Sequence, residues 1–357
     1  MRPTFHHKTQ HGYTIIELMM AGAIGSLIIA ATLAVFGIQR ALHRNSDRLL
    51  SEHFGASVAS LTISRDLENA GFHFSSPAVA IRPRDNILGS LPNGDGTSIN
   101  ALSLGDPGPG VIFGTDAIEI IAGNPVTVAG QVGGVSIAGN TATVTLDALD
   151  PLSAVDVDAG VHGVLGPLLV FQSATTRCLG KVTSINGFTI TVTTFADFEG
   201  DMTGTGVAVA NCPAANMSVY TLMTRKRYLI YQDATGVSGL YVQSLRDPPG
   251  TARLGVLGPP VLIAEGIEDL QIAYNMGSGT WCNQGTPDGG SDCDVMTNPA
   301  AIQGIKFQLV SRGTDLVKRV GMYRPAVLNH AAGTQDDIDR LVLGTSVMLR
   351  NLVYVSP

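Results

Sequence analysis

Apolar residues dominate the start of the chain. No charged residue lies between Leu18 and Ile38. As a helix this stretch would measure about 31 Å at 1.5 Å per residue, which matches the hydrocarbon core of a membrane. A carboxylate, Glu17, stands directly before it. The pattern predicts a transmembrane helix over about residues 15–38.

The helical pattern continues beyond this apolar run. Leu50, Phe54, Val58 and Leu61 recur at helical spacing and predict an amphipathic stripe that packs on the rest of the protein. A stop signal follows at residues 69–71 (Asn-Ala-Gly). We therefore predict one long helix over residues 13–71. Its apolar stretch contains three glycines, which would allow neighbouring helices to approach closely in a membrane or a helical assembly: Gly22, Gly25 and Gly37.

Residues 72–357 show short apolar or alternating runs separated by Gly, Pro, Asn and Asp, a pattern typical of antiparallel strands. The runs predicted as strands are Ala117–Ile121, Thr141–Leu146, Leu168–Phe171, Phe188–Val192, Ser218–Met223, Tyr228–Tyr231, Leu240–Val242, Leu270–Tyr274, Ile305–Val310 and Ser346–Val355. Two stretches, Ser153–Gly160 and Asn275–Ala301, are expected to be long loops. The fold class is therefore α+β: a long N-terminal helix, half transmembrane and half amphipathic, packed on a large and mostly antiparallel β-rich head.

Charge narrows the range of partners. The net charge is −7 and charged residues make up 14% of the chain, so non-specific binding to nucleic acid is disfavoured. The one compact basic cluster is Arg225-Lys226-Arg227. We interpret it as solvated charge that leads into the strand at Tyr228.

The chain has 4 cysteines and none of them forms a Cys-x-x-Cys motif, so the sequence gives no support to a zinc ribbon. In an exported protein an even number of cysteines favours disulfides. Nearness in sequence suggests the pairs Cys282–Cys293 and Cys178–Cys212, although four cysteines allow three connectivities.

A short polar leader precedes the apolar run, with Gly12-Tyr13-Thr14-Ile15-Ile16-Glu17-Leu18 at the junction. This motif resembles the processing site of type IV prepilins and pseudopilins. The resemblance implies that prepilin peptidase removes residues 1–12 by cutting after Gly12, and that Tyr13 becomes the methylated N-terminal residue. The family usually has Phe at this position, so Tyr13 is a mild departure.

Glu17 is an assembly residue on this interpretation. A carboxylate within a bilayer is costly and is expected to have a partner. The amine that cleavage would create on Tyr13 lies at i, i+4 spacing from Glu17, and a neighbouring subunit's amine is the other candidate. Pairing with a neighbour would set the register between packed helices. The alternative is a carboxylate solvated by lipid headgroups.

Later segments resemble the PilW-type minor pilins, which are related to the J-type pseudopilin of type II secretion. The matching pieces are Ser64–Phe72, Gly114–Ile120, Arg227–Tyr231, Gly239–Val242, Ala264–Tyr274 and Thr345–Asn351. Residues 123–166 match no part of that pattern. The resemblance implies an inner-membrane protein with a periplasmic head that later enters a pilus or its tip. Its implied partners are other minor and major pilins, prepilin peptidase, the inner-membrane assembly platform and a tip adhesin.

No catalytic motif is recognisable: there is no His-Glu-x-x-His, no Gly-x-Ser-x-Gly and no Walker loop. We expect no enzymatic activity and no cofactor. Asp288, Asp292 and Asp294 are weak calcium candidates in the loop after Cys282. Their spacing is not that of an EF-hand, and acids that keep a loop soluble are the favoured interpretation.

The expected function is that of a minor pilin which primes or caps a type IV pilus. The alternatives are a minor pseudopilin of type II secretion, a membrane-anchored adhesive or binding protein that never polymerises, and an anchored hydrolase. The non-polymerising protein would not need Glu17, and the hydrolase would need a cleft with perturbed titratable groups.

Overall fold

The computed structural model describes residues 14–71, 81–84, 87–93, 97–104, 106–138, 141–146, 168–172, 177–186, 189–197, 216–244, 257–276, 281–282, 302–312, 322–323, 328, 335–336 and 340–349. The chain divides into two compact units, Met1–Ser51 and Glu52–Pro357.

One long helix, α1, runs from Ile15 to Glu68, within the predicted range of 13–71. Its first part, Ile15–Arg40, has a mean hydropathy of 2.2 and is long and apolar enough to cross a membrane. Past Glu68 the chain turns, and Gly71 adopts a φ of 71°. Such a left-handed residue is a common way to end a helix, and glycine adopts it without steric cost.

The second unit is built mainly of strands. They are β1 (Ile81–Arg84), β2 (Ser90–Pro92), β3 (Ser98–Leu102), β4 (Gly110–Ile112), β5 (Ala117–Ala138), β6 (Thr141–Leu146), β7 (Leu168–Gln172), β8 (Arg177–Asn186), β9 (Thr189–Asp197), β10 (Ser218–Gln232), β11 (Ser238–Ser244), β12 (Val261–Glu265), β13 (Ile267–Asn275), β14 (Trp281–Cys282), β15 (Gly304–Arg312), β16 (Met322–Tyr323), β17 (Gln335–Asp336) and β18 (Arg340–Met348).

The two longest described strands of this unit, β5 and β10, pair with each other. β5 has 22 residues and β10 has 15, and they pair antiparallel from Tyr228↔Ile118 to Ser218↔Gln131. Sequence runs predicted as two strands, Ser218–Met223 and Tyr228–Tyr231, are therefore one. Near Ile118 the pair lies between β1 on one side and β11 and β12 on the other.

At their other end β5 and β10 enter a closed barrel. The pairing order β5-β6-β9-β8-β7-β10 returns to β5 through the β5–β10 pair, and all six contacts are antiparallel. Register shifts between Ser218 and Thr224 mark the point where β10 bends into it. The barrel takes in the first part of the stretch that resembles no pilin segment. The predicted loop Ser153–Gly160 lies outside the described residues.

The barrel has a packed interior. Five apolar side chains are fully buried there: Val132, Ala142, Val144, Phe171 and Val192. They alternate with threonines along β6 and β9, as expected when one face of a strand points inward. So few strands enclose only enough space for side chains, so this barrel is a small core rather than a pore.

A second sheet, in the order β14-β13-β15-β18, shares its core with the end of α1. The helix contacts it through Ala56, Ala59, Ile63 and Leu67, all buried. Most of the predicted packing stripe is wrong: Phe54 and Leu61 are each 72% exposed and Leu50 is exposed too, whereas Val58 is half-buried. Small alanines let the helix backbone come close to the strands, whereas large side chains at those positions would hold it away.

Candidate assembly site and the polar clusters of the head

The first turn of α1 is closed by Thr14 and Glu17. The Glu17 backbone N–H donates to Thr14 Oγ1 at 3.3 Å, and the Thr14 backbone N–H donates to Glu17 Oε2 at 3.0 Å. The Thr14 hydroxyl also donates to the same carboxylate oxygen, at 3.2 Å. This is a capping box, in which side chains satisfy amide groups that have no partner within the helix.

Thr14 is a site residue that the sequence analysis missed, although Thr-x-x-Glu before an apolar run is its recognised signal. Glu17 therefore has a local structural task, independent of any pairing with another subunit. Gly12 and Tyr13 lie outside the described residues. The expected i, i+4 pairing of Tyr13 with Glu17 therefore stays a prediction.

The helix that follows exposes an unusually apolar surface. From Ile15 to Ile38 its large apolar side chains are 54–81% exposed, and no part of the hydrophobic window is buried. A Cβ added at Gly22, Gly25 or Gly37 would meet nothing within 4 Å. This chain alone therefore does not require these glycines. A surface so apolar needs lipid or other helices around it.

The C-terminal end of α1 is tied to β10 by polar contacts. Lys226 Nζ donates to Asp66 Oδ2 at 2.8 Å, and the Tyr228 hydroxyl donates to the same oxygen. Burial raises the pKa of Tyr228 above its usual value, and the hydrogen bond and charge of Asp66 raise it further. The neutral Tyr228 phenol therefore forms a charge-assisted hydrogen bond with the Asp66 carboxylate, and this bond links the helix to the sheet.

On the opposite face of β10 lies a buried ionic cluster. Arg225 Nη2 is 2.8 Å from Glu119 Oε2, and Arg227 binds Glu119 Oε1 through Nε at 2.9 Å and through Nη2. Burial by itself would raise the pKa of Glu119. The positive charges of Arg225, Arg227 and Arg82 outweigh that effect and hold this pKa well below its usual range. The cluster is therefore ionised at neutral pH.

The cluster corrects the interpretation of Arg225-Lys226-Arg227 as solvated charge. Arg225 and Arg227 are 2% and 1% exposed. Successive strand residues point to opposite faces, so these two arginines meet Glu119 while Lys226 and Tyr228 meet the helix. Arg227 also donates to the Pro92 carbonyl oxygen at 2.8 Å, which links the cluster to the last residue of β2.

Of the other predicted site residues, only two of the four cysteines, Cys178 and Cys282, lie within the described ranges. Cys282 is disulfide-bonded, and Cys178 lies on β8 opposite Phe171. Their predicted partners, Cys293 and Cys212, lie outside the described residues, so both pairings stay predictions. The calcium candidates Asp288, Asp292 and Asp294 also lie outside. Among the described residues, no group of three or more His, Cys, Asp or Glu side chains is placed to hold a metal ion.

No family model matches this chain, and no curated protein matches it in sequence. Among solved structures it is similar to a type IV-like pilin from Thermus thermophilus, with 15% identity over 53% of this chain and 85% of that one. The TM-score is 0.23, which is too low to establish a shared fold. The structure itself establishes an N-terminal apolar helix followed by a β-rich domain.

Proposed function

We propose that this protein is a minor pilin of the PilW type that primes or caps a type IV pilus. The observation that carries the proposal is the helix Ile15–Arg40, whose apolar side chains are exposed along its whole length and which begins at a capped acidic turn. A helix with this surface suits two environments in succession, first lipid and then a bundle of like helices.

Processing creates the assembly-competent form. Prepilin peptidase removes residues 1–12 after Gly12, and the new N-terminal residue, Tyr13, is methylated. The capping box supports this proposal because it holds the Glu17 carboxylate against the backbone N–H of Thr14, the residue next to Tyr13. The Glu17 charge is therefore held close along the chain to the amine that cleavage would create, where it can pair with that amine or with a neighbour's.

The head supplies rigidity and contact surface in this proposal. Polar contacts hold β10 on both of its faces. Asp66 on the helix forms an ion pair with Lys226, and Glu119 on β5 forms an ion pair with Arg225. The head would lie in the periplasm and contact other minor and major pilins, after the inner-membrane platform has drawn the helix into the filament. A tip adhesin is a further proposed partner.

The test separates the charge of Glu17 from its capping role. Glu17→Gln keeps an oxygen that accepts from Thr14 N–H but removes the charge, whereas Thr14→Ala removes the cap but keeps the charge. If the charge sets register, Glu17→Gln is cleaved and inserted but absent from surface filaments, while Thr14→Ala still assembles. The readouts are precursor cleavage and the amount of this protein in sheared filaments.

A second arm tests processing. Gly12→Val should leave an uncleaved precursor that stays in the membrane. If the Gly12→Val variant and the Glu17→Gln variant each reach wild-type levels in filaments, the minor-pilin proposal is refuted and an anchored protein that does not polymerise is favoured. If these variants lose protein secretion while the cells keep intact pili, the result would favour a minor pseudopilin of type II secretion.

A further inference from the structure

The second sheet packs one face on the end of α1 through alternate residues of β15: Ile305, Phe307 and Leu309. Successive strand residues point to opposite faces, so the residues between them lie on the other, outer face. On β15 the outer residues are Gly304, Lys306 and Gln308, and opposite them on β18 are Met348, Ser346 and Gly344. The three β18 residues are exposed, so this part of the outer face is open.

An aromatic side chain lies on this outer face. Trp281, the single tryptophan of the chain, stands on β14 opposite Asn275 of β13 and is 40% exposed. It converges with Met348, which is 55% exposed, on Gly304. A Cβ built at that glycine would lie 3.4 Å from Trp281 Cη2 and 3.0 Å from Met348 Sδ. The indole therefore reaches across β13 toward β15 and presents an aromatic surface beside a glycine.

Polar groups with unused hydrogen-bonding capacity lie next to this aromatic surface. Lys306 follows Gly304 by two residues on the same face, about 7 Å along the strand. Lys306 and Gln308 are both half-buried. Among the residues that the structure describes, none forms a hydrogen bond or ion pair with the Lys306 ammonium, the Gln308 amide or the Trp281 indole N–H. A half-buried ammonium without a counter-ion favours an anionic ligand.

The position of the tryptophan is fixed by its surroundings. β13 bounds the open surface on one side, and its residues from Ile267 to Tyr274 are all buried. Cys282, which follows Trp281, is disulfide-bonded and pairs with Tyr274. The short strand β14 is therefore held by a covalent link as well as by main-chain pairing. A ligand that stacks on Trp281 would meet a ring that is already positioned, so little ordering cost would oppose binding.

The chemistry of this surface fits a sugar ring that carries a carboxylate. The C–H groups on one face of a pyranose are apolar and weakly positive, and the face of an aromatic ring is negative, so the two stack. The sugar hydroxyls would exchange hydrogen bonds with the Gln308 amide and the Ser346 hydroxyl, and the carboxylate would accept from Lys306 Nζ.

A peptide fits this surface less well. The backbone groups of β15 are used in its pairing with β13 and β18, so a peptide main chain lying on the sheet face would find few partners. Polyproline segments bind in grooves lined by aromatic residues. Within the described residues of this outer face, Trp281 is the one aromatic side chain.

We propose that the outer face of the second sheet binds an acidic glycan, with a uronic acid stacked on Trp281 and its carboxylate paired with Lys306. This binding site goes beyond the role in a filament and does not rest on it, because any membrane-anchored chain with this head would carry the same surface. It would give the head a ligand of its own.

The probe is tetragalacturonic acid, and its methyl ester is the control because it is the same sugar without the charge. Since the chain has a single tryptophan, the intrinsic fluorescence of the full chain in detergent reports directly on a ligand at Trp281. Isothermal titration calorimetry then measures the affinity of each variant, including those that lack the tryptophan.

Two pairs of variants make the test specific. Lys306→Gln should weaken binding of the acid about tenfold, as expected for a hydrogen bond to a charged group, and should leave the ester unaffected. Lys181→Gln, on β8 of the barrel, is the matched control for the loss of one lysine. Trp281→Ala should abolish binding of both sugars, whereas Trp281→Tyr keeps an aromatic face and should keep most of it. Circular dichroism checks that each variant is folded.

The expected result is a fluorescence change with the acid, at least tenfold weaker binding of the ester, and loss of this preference in Lys306→Gln. The proposal is overturned if the acid leaves the fluorescence unchanged, if acid and ester bind equally, or if Trp281→Ala binds like wild type. A short proline-rich peptide with one glutamate is titrated in the same way. Tighter binding of that peptide than of the sugar acid would assign the surface to a protein partner and would also overturn the proposal.

Discussion

Replacing Glu119 with alanine tests the ionic cluster most directly. Glu119 is fully buried and binds Arg225 and Arg227, which are buried as well. Removing the carboxylate leaves two guanidinium groups in the interior without their shared counter-ion. Removal of one partner from a buried ion pair typically costs about 3–5 kcal/mol, much of it the penalty for the uncompensated charge.

The expected loss is therefore about 3–5 kcal/mol for Glu119→Ala, measured by urea denaturation of the full chain in detergent. A triple variant, Glu119→Leu with Arg225→Met and Arg227→Met, is the matched control. It replaces all three charges by apolar groups of similar size and should lose much less stability, because no unpaired charge stays buried. A Glu119→Ala loss below about 1 kcal/mol, the range of an exposed pair, would refute this account of the cluster.

The low pKa of Glu119 also fixes the direction of its pH dependence. A carboxyl group whose folded-state pKa is depressed stabilises the protein above its unfolded pKa of about 4.3, and that stabilisation is lost as the pH falls toward the folded value. Wild type should therefore lose stability below about pH 4 more steeply than the triple variant, which lacks the carboxylate. Parallel pH profiles would contradict an ionised cluster.

Three further predictions concern packing in the head. Tyr228→Phe loses its hydrogen bond to the helix carboxylate and should destabilise by about 1.5–3 kcal/mol in the same unfolding assay. Gly239→Ala should prevent stable folding or strongly lower the melting temperature, because its Cβ would overlap a backbone carbonyl oxygen of β12, whereas Gly134→Ala meets nothing within 4 Å and should change stability little. Ala59→Leu should cost about 1–3 kcal/mol by overpacking, and Leu61→Ala less than about 0.5 kcal/mol; the reverse order would restore the predicted stripe.

The membrane-type helix and about half of the described strands could be read from the sequence, because hydropathy and strand period are local properties. An uncharged run from Leu18 to Ile38 is apolar whatever the rest of the chain does, and the observed candidate span is Ile15–Arg40. Alternating runs such as Thr141–Leu146 were placed correctly because a half-buried strand repeats every two residues.

The helix stripe shows where periodicity misleads. The sequence offers two faces between residues 50 and 68. One carries Leu50, Phe54 and Leu61, and the other carries Ala56 and Ala59 followed by Ile63 and Leu67. Hydrophobicity favours the large residues, but the distance between helix and sheet selected Ala56 and Ala59. That distance depends on the strands beneath and has no local signal.

The sequence by itself determined an apolar N-terminal helix with an acid near its start and a β-rich remainder, because hydropathy and strand period are properties of neighbouring residues. Only the tertiary structure decided that β5 and β10 close a barrel, that Arg225 and Arg227 are buried on Glu119, and that the end of α1 shares a core with the second sheet. Each of these depends on a partner distant in the chain. Glu119, for example, is 106 residues away from Arg225 in the sequence. Pairing and burial are therefore fixed by contacts that no local pattern contains.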